Sequence, residues 1–110
     1  MTDPLTIDAI AAAVPGKEAA LREAQAKLVA ATLAEPGCIR YELNQSLDDP
    51  SILVFTELWA SERDWRAHMQ GDAIRQFHAS GASRLIRDFT LFRLAPVAGG
   101  DASSKCRKPE

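Results

Sequence analysis

The side chains best equipped for chemistry in this chain are aromatic and imidazole groups: two histidines, one tyrosine and two tryptophans. His68 comes first. An imidazole titrating near 6.5 is the side chain best matched to general-base work at neutral pH. Trp65, His68 and Met69 follow the spacing i, i+3, i+4, which defines one side of a helix. That side is expected to face inward and to keep His68 from water. Burial would hold it neutral, the form a base requires. Tyr41 and Trp59 fall near the ends of neighbouring strands. An indole can wall a flat aromatic ligand, and a phenol can hold one of its oxygens. Phe77, on a later short helix, is expected to face the same interior, and the adjacent His78 to face solvent. Each residue also has a plainer reading. His68 can be a buried histidine bonded to a backbone carbonyl, and Tyr41 and Trp59 can be core.

Other chemistries lack their parts. Cys38 and Cys106 are far apart, make no disulfide framework and sit in no metal-ligand spacing. Cys38 reads as a small buried strand residue. No Gly-rich phosphate loop or nucleophile elbow occurs. Lys and Arg number 13 against 15 Asp and Glu, a weakly acidic balance without the footprint of a nucleic-acid binder. No apolar run approaches the roughly 18 residues of a membrane span. The start, Met1-Thr2-Asp3-Pro4, has no basic segment, so no secretory signal is expected and a reducing cytoplasm is the expected compartment.

The elements that must position these residues follow from pattern. With 110 residues the chain has room for one domain, expected over 1–96. Residues 5–14 read as a strand closed by Pro15-Gly16, although Ala9 to Ala13 is weak strand material. Residues 17–34 are rich in good helix formers, with Leu21, Ala24, Leu28 and Ala31 on one face. Glu35-Pro36-Gly37 ends that helix. Residues 38–46 alternate, with Ile39, Tyr41 and Leu43 on one face. Arg40 and Asn44 take the other and are expected at a surface or interface. Residues 52–59 form the second arm of an antiparallel hairpin. Ser61 starts a helix that reaches about Gln70, with Asp64 placed as its capping partner. A second short helix covers about 73–80, and 84–95 is the last strand. Residues 97–110 read as a flexible tail. The order is β-α-β-β-α-β, an α+β ferredoxin-like arrangement with an antiparallel sheet. Residues 52–59 are apolar on both faces, and such a sheet has helices on only one. A second copy of the sheet would cover the other, which predicts a homodimer.

The stretch Glu35-Pro36-Gly37-Cys38-Ile39-Arg40-Tyr41-Glu42-Leu43 is followed by Phe55-Thr56-Glu57-Leu58-Trp59-Ala60-Ser61, then by Trp65-Arg66-Ala67-His68-Met69, with Phe77 beyond. This ordered set, E-x-G, E-x-W and A-H, resembles the antibiotic biosynthesis monooxygenase family over about residues 5–95. The resemblance implies a dimeric α+β barrel with a small pocket in each subunit between sheet and helices. It implies a cofactor-independent monooxygenase that oxidises a small quinol, phenol or polycyclic aromatic with O2. No metal or other cofactor is then expected. The A-H histidine, His68, would be catalytic, and Tyr41, Trp59 and Phe77 would bind the substrate. The family is similar to small-molecule isomerases too, so an isomerase or a ligand-binding protein is the alternative. Haem-degrading relatives carry an axial histidine at about His78, an asparagine on the first strand and a tryptophan before the helix break. Ala9 and His68 stand at the last two places, which makes haem degradation the third reading.

Overall fold

Strict alternation from Ile52 to Trp59 organises the molecule. Leu53, Phe55, Glu57 and Trp59 are buried, and Ile52, Val54, Thr56 and Leu58 are half-buried on the reverse face. The computed structural model describes residues 3–102. Its strands are β1 (Leu5–Ala13), β2 (Cys38–Gln45), β3 (Ile52–Trp59) and β4 (Ile86–Leu94). Its helices are α1 (Glu18–Thr32), α2 (Glu62–Met69) and α3 (Asp72–Ala79), with a short 3-10 helix at Ala82–Leu85. The sheet is antiparallel throughout, in the order β2-β3-β1-β4. This is the ferredoxin-like α+β arrangement, with the second helix broken into α2 and α3. No described helix is long and apolar enough to cross a membrane.

The helices lie on the face carrying Ile7, Ala9, Ala11, Tyr41, Phe55 and Trp59. Leu21 of α1 packs on Ala11, Ala13 and Leu53, and Leu28 joins Ile7, Ala9 and Phe55. The alanines that make β1 poor strand material let the helix approach closely. Register then does what propensity does not, since β1 pairs along most of its length with both β3 and β4. The buried stripe of α1 is Leu21, Gln25, Leu28 and Thr32, not the Leu-Ala stripe read from the sequence. Ala24 and Ala31 lie off the centre of the contact, and two polar side chains take the buried places.

Strand β2 departs from simple alternation at its start. Its register with β3 slips between Cys38 and Arg40, so Ile39 is an extra residue and is exposed, while Tyr41 is buried. A bulge of this kind turns one side chain out without moving the rest of the strand. Cys38 is half-buried rather than buried. At α2, Ser61 accepts from the Asp64 backbone N–H at 3.1 Å, and its hydroxyl donates to Asp64 Oδ2 at 2.9 Å. Residues 97–102 are exposed and without regular structure; the rest of the expected tail, with Cys106, lies outside the described residues.

Gly37 joins the entry of β2 to the start of α2. Its φ is +78°, its carbonyl accepts from Ala60 N at 2.8 Å, and a Cβ there would stand 2.2 Å from Cγ of Asp64. Gly37→Ala should combine a left-handed backbone penalty of about 1–2 kcal/mol with that clash. A fall in melting temperature of roughly 10 °C is expected in a domain of this size. Scanning calorimetry of the variant checks it, and an unchanged midpoint would contradict it.

Candidate active site

The helix-covered face does not close completely. Between sheet and helices lies a cavity of about 390 Å³. Ala9, Tyr41, Phe55, Glu57 and Leu91 line it from the sheet, Gln25 and Leu28 from α1, and His68 and Met69 from α2. Ile74, Phe77 and His78 line it from α3, and Arg87 and Phe89 stand on β4. Alanine at position 9 is part of the reason the space exists, because its neighbours in register, Phe55 and Leu91, are large. A groove of about 460 Å³ between α1 and α3 holds none of Tyr41, Glu57 and His68.

Three of the four residues singled out in the sequence, Tyr41, His68 and Phe77, line this cavity. Trp59 does not. It is fully buried and stacks against His68, ring centroids 4.8 Å apart and 32° between planes. Tyr41 meets His68 edge-on at 5.4 Å and Phe55 at 5.2 Å. The imidazole therefore sits between two aromatic rings, with Trp59 against its face and Tyr41 edge-on. His78 is exposed but stands on the cavity rim. Met69 is partly exposed there as well. Trp65 packs in the core, with the Arg93 guanidinium 5.7 Å from its ring centroid.

His68 is 3% exposed, and its Nδ1 lies 2.7 Å from Glu35 Oε1. Burial pushes its pKa below 6.5, against the pull of the Glu35 carboxylate. In the neutral ring Nδ1–H donates to Glu35, which leaves the lone pair on Nε2. The bond is to a carboxylate and not to the backbone carbonyl of the plainer reading.

Glu57 is the residue that sequence reasoning passed over. It was visible as part of E-x-W, and alternation puts it on the buried face with Phe55 and Trp59. Its carboxyl is 4% exposed and accepts from Trp59 Nε1 at 2.9 Å. Burial, with some help from the Asp8 charge, pushes its pKa up to about 7, against the Trp59 hydrogen bond. Burial and the Glu57 charge together push the Tyr41 phenol above its ordinary value, so it stays protonated. Glu35 was likewise visible only as part of E-x-G, and nothing local tied it to a partner 33 residues away. The cavity thus presents a neutral imidazole and a carboxyl that changes charge near neutrality.

Glu57 has a consequence for stability. From pH 4.5 to about 7 the folded protein keeps a proton that the unfolded chain has released. Its contribution is whole below pH 4.5 and is lost as the pH climbs through about 7. His68 works in the other direction, losing its contribution as the pH falls below 6.5. Glu57→Gln should remove only the first slope. Relative to wild type, its unfolding free energy should gain roughly 3 kcal/mol across that window. Urea melts at a series of pH values measure this, and parallel curves for the two proteins would refute it.

The fold and the cavity have relatives. The antibiotic biosynthesis monooxygenase family profile matches residues 5–80. The Pseudomonas aeruginosa protein PA3566 is similar at 30% identity and a TM-score of 0.82, covering 89% of this chain and 98% of its own. The Mycobacterium tuberculosis protein Rv0793 is similar at 26% identity and 0.81, with 90% and 100% covered. A solved structure named as an antibiotic biosynthesis monooxygenase shares the fold at 23% identity and 0.78, with 86% and 99% covered. Among curated proteins none matches. With its profile match spanning most of the chain, this protein belongs to the antibiotic biosynthesis monooxygenase family.

Proposed function

We propose that this protein is a cofactor-independent monooxygenase that oxidises a small quinol, phenol or polycyclic aromatic with O2. The observation that carries the reading is the setting of His68. It is a neutral base oriented by Glu35, braced by Trp59 and set in the wall of a mostly apolar cavity. O2 reacts slowly with closed-shell molecules, so the substrate must supply the electrons. Removing a phenolic proton makes an electron-rich anion, and one base suffices for that.

For a quinol the steps balance as follows. His68 Nε2 takes a hydroxyl proton. The anion passes one electron to O2, and the radical pair closes a C–O bond at a ring carbon. Proton return gives a hydroperoxide. Loss of the ring C–H proton with cleavage of the O–O bond releases water and leaves a carbonyl. Overall, quinol and O2 give hydroxyquinone and water. Tyr41 and Phe77 would contact the ring and its oxygens, and Trp59 would act through His68.

A second reading has one observation in its favour. His68 and Glu57 are two proton-transfer groups on one cavity, which is what an isomerase needs to lift a proton from one atom and deliver one to another. Oxygen uptake with hydroquinone separates the two. The oxygenase consumes O2, and the isomerase does not.

The same proposal includes a homodimer in the cytoplasm, joined through the reverse face of the sheet, where Ile10 and Val54 are half-buried and Phe92 is 48% exposed. Residues 97–110 would lie outside the working domain. Val54→Glu should then yield monomers by light scattering, and a wild-type chain that is already monomeric at micromolar concentration would end the idea.

His68→Ala should lower turnover of a quinol on the order of 10² to 10⁴-fold with the fold intact by circular dichroism. His78→Ala should change it little. Glu35→Gln should leave substrate binding in place and move the acid limb of kcat/KM to lower pH, because the carboxylate raises the His68 pKa. An unchanged pH profile would make Glu35 merely structural.

A further inference from the structure

We propose that Gln25 sets the specificity of this cavity: its side-chain amide receives the second oxygen of a dihydroxy aromatic, so the site prefers hydroquinones to monophenols. The inference rests on the oxygenase reading of the pocket and narrows its substrate.

Gln25 is 1% exposed, on the inward stripe of α1 between Leu21 and Leu28. It lines the same cavity as His68 and Glu57. Its Oε1 has no hydrogen-bond partner among the described residues. An amide buried without a partner costs about 1–3 kcal/mol, and an apolar side chain of similar volume would fill the stripe without that cost. The unpaired group makes sense if a ligand completes it. Thr32, the other polar residue of the stripe, does not line the cavity.

The rest of the wall says what kind of ligand. Leu28, Phe55, Phe77 and Leu91 are apolar and suit a ring. The buried polar groups come from four different elements: Gln25 from α1, Tyr41 from β2, Glu57 from β3 and His68 from α2. A molecule with an oxygen at one end only would meet His68 and leave Gln25 unpaired. A hydroquinone has an oxygen for each. An amide also suits the chemistry, because one group both accepts and donates. Its oxygen accepts from the quinol hydroxyl, and, turned about its last torsion, its nitrogen donates to the quinone carbonyl formed there.

Hydroquinone and 4-methylphenol test the idea, since they differ by a methyl in place of one hydroxyl. Each is titrated calorimetrically, without O2, into the full-length protein, its Gln25→Leu variant and its Gln25→Met variant. Wild type should bind hydroquinone at least 10-fold more tightly than 4-methylphenol, as expected when a buried polar group is otherwise left unpaired. Both variants, checked for folding by their melting transitions, should bind the two phenols alike. Equal binding by wild type, or a preference retained in the folded variants, would overturn the proposal and leave the oxygenase reading standing. A Gln25-dependent preference without O2 consumption in air would do the reverse. If neither phenol binds wild type, both fail.

Discussion

The space left by alanine on the central strand β1 is what the rest of the site depends on. Ala9, Ala11 and Ala13 all face the helices and are almost wholly buried. At Ala11 and Ala13 the small side chains draw α1 down onto the sheet through Leu21. At Ala9 the helix layer does not follow, and the gap becomes the cavity. A larger residue at 9 would fill the space that Phe55 and Leu91 frame. Strand propensity is lost to make room, and pairing on both sides of β1 restores the strand.

Polar groups placed in such a space behave unlike their counterparts in water. Burial depresses the base and elevates the acid, so His68 is held neutral and Glu57 is brought to about 7. One cause acts on two groups with opposite sign, because the charged form is the disfavoured one in each. The aromatic neighbours contribute by excluding water and by fixing geometry. Trp59 does both: it stacks on His68 and donates to Glu57. It therefore links the two groups while remaining away from the cavity surface.

Much of this was legible in the sequence, and the exceptions have physical causes. The strict alternation of β3, the glycine-marked ends of the helices and the i, i+3, i+4 set of α2 gave the element order and the inward placement of His68. The face of Ile39 was misread because a bulge adds a residue, and no local pattern announces one. The stripe of α1 was misread because alanine is content on either side of a helix, so Ala24 and Ala31 stood in the pattern where Gln25 and Thr32 are buried. Glu57 was overlooked for a different reason. A charged residue in a strand normally reads as facing water, and here alternation was the better guide. The pairing of Glu35 with His68 became visible only when the chain folded and brought them together.

His68 also borders a second, more open hollow, formed by Glu35, Pro36, Asp64 and Gly71 on the far side of the helix layer. The ring also lines the main cavity, and Nδ1 faces Glu35, whose side chain is 21% exposed. For a base in this position, the organic molecule and the proton use different doors. A proton taken at Nε2 leaves the other nitrogen free to hand its own to the carboxylate and so to bulk water. Under the proposed reaction the imidazole would pass protons from the cavity to Glu35, and each cycle would reset the base on the side away from the ligand.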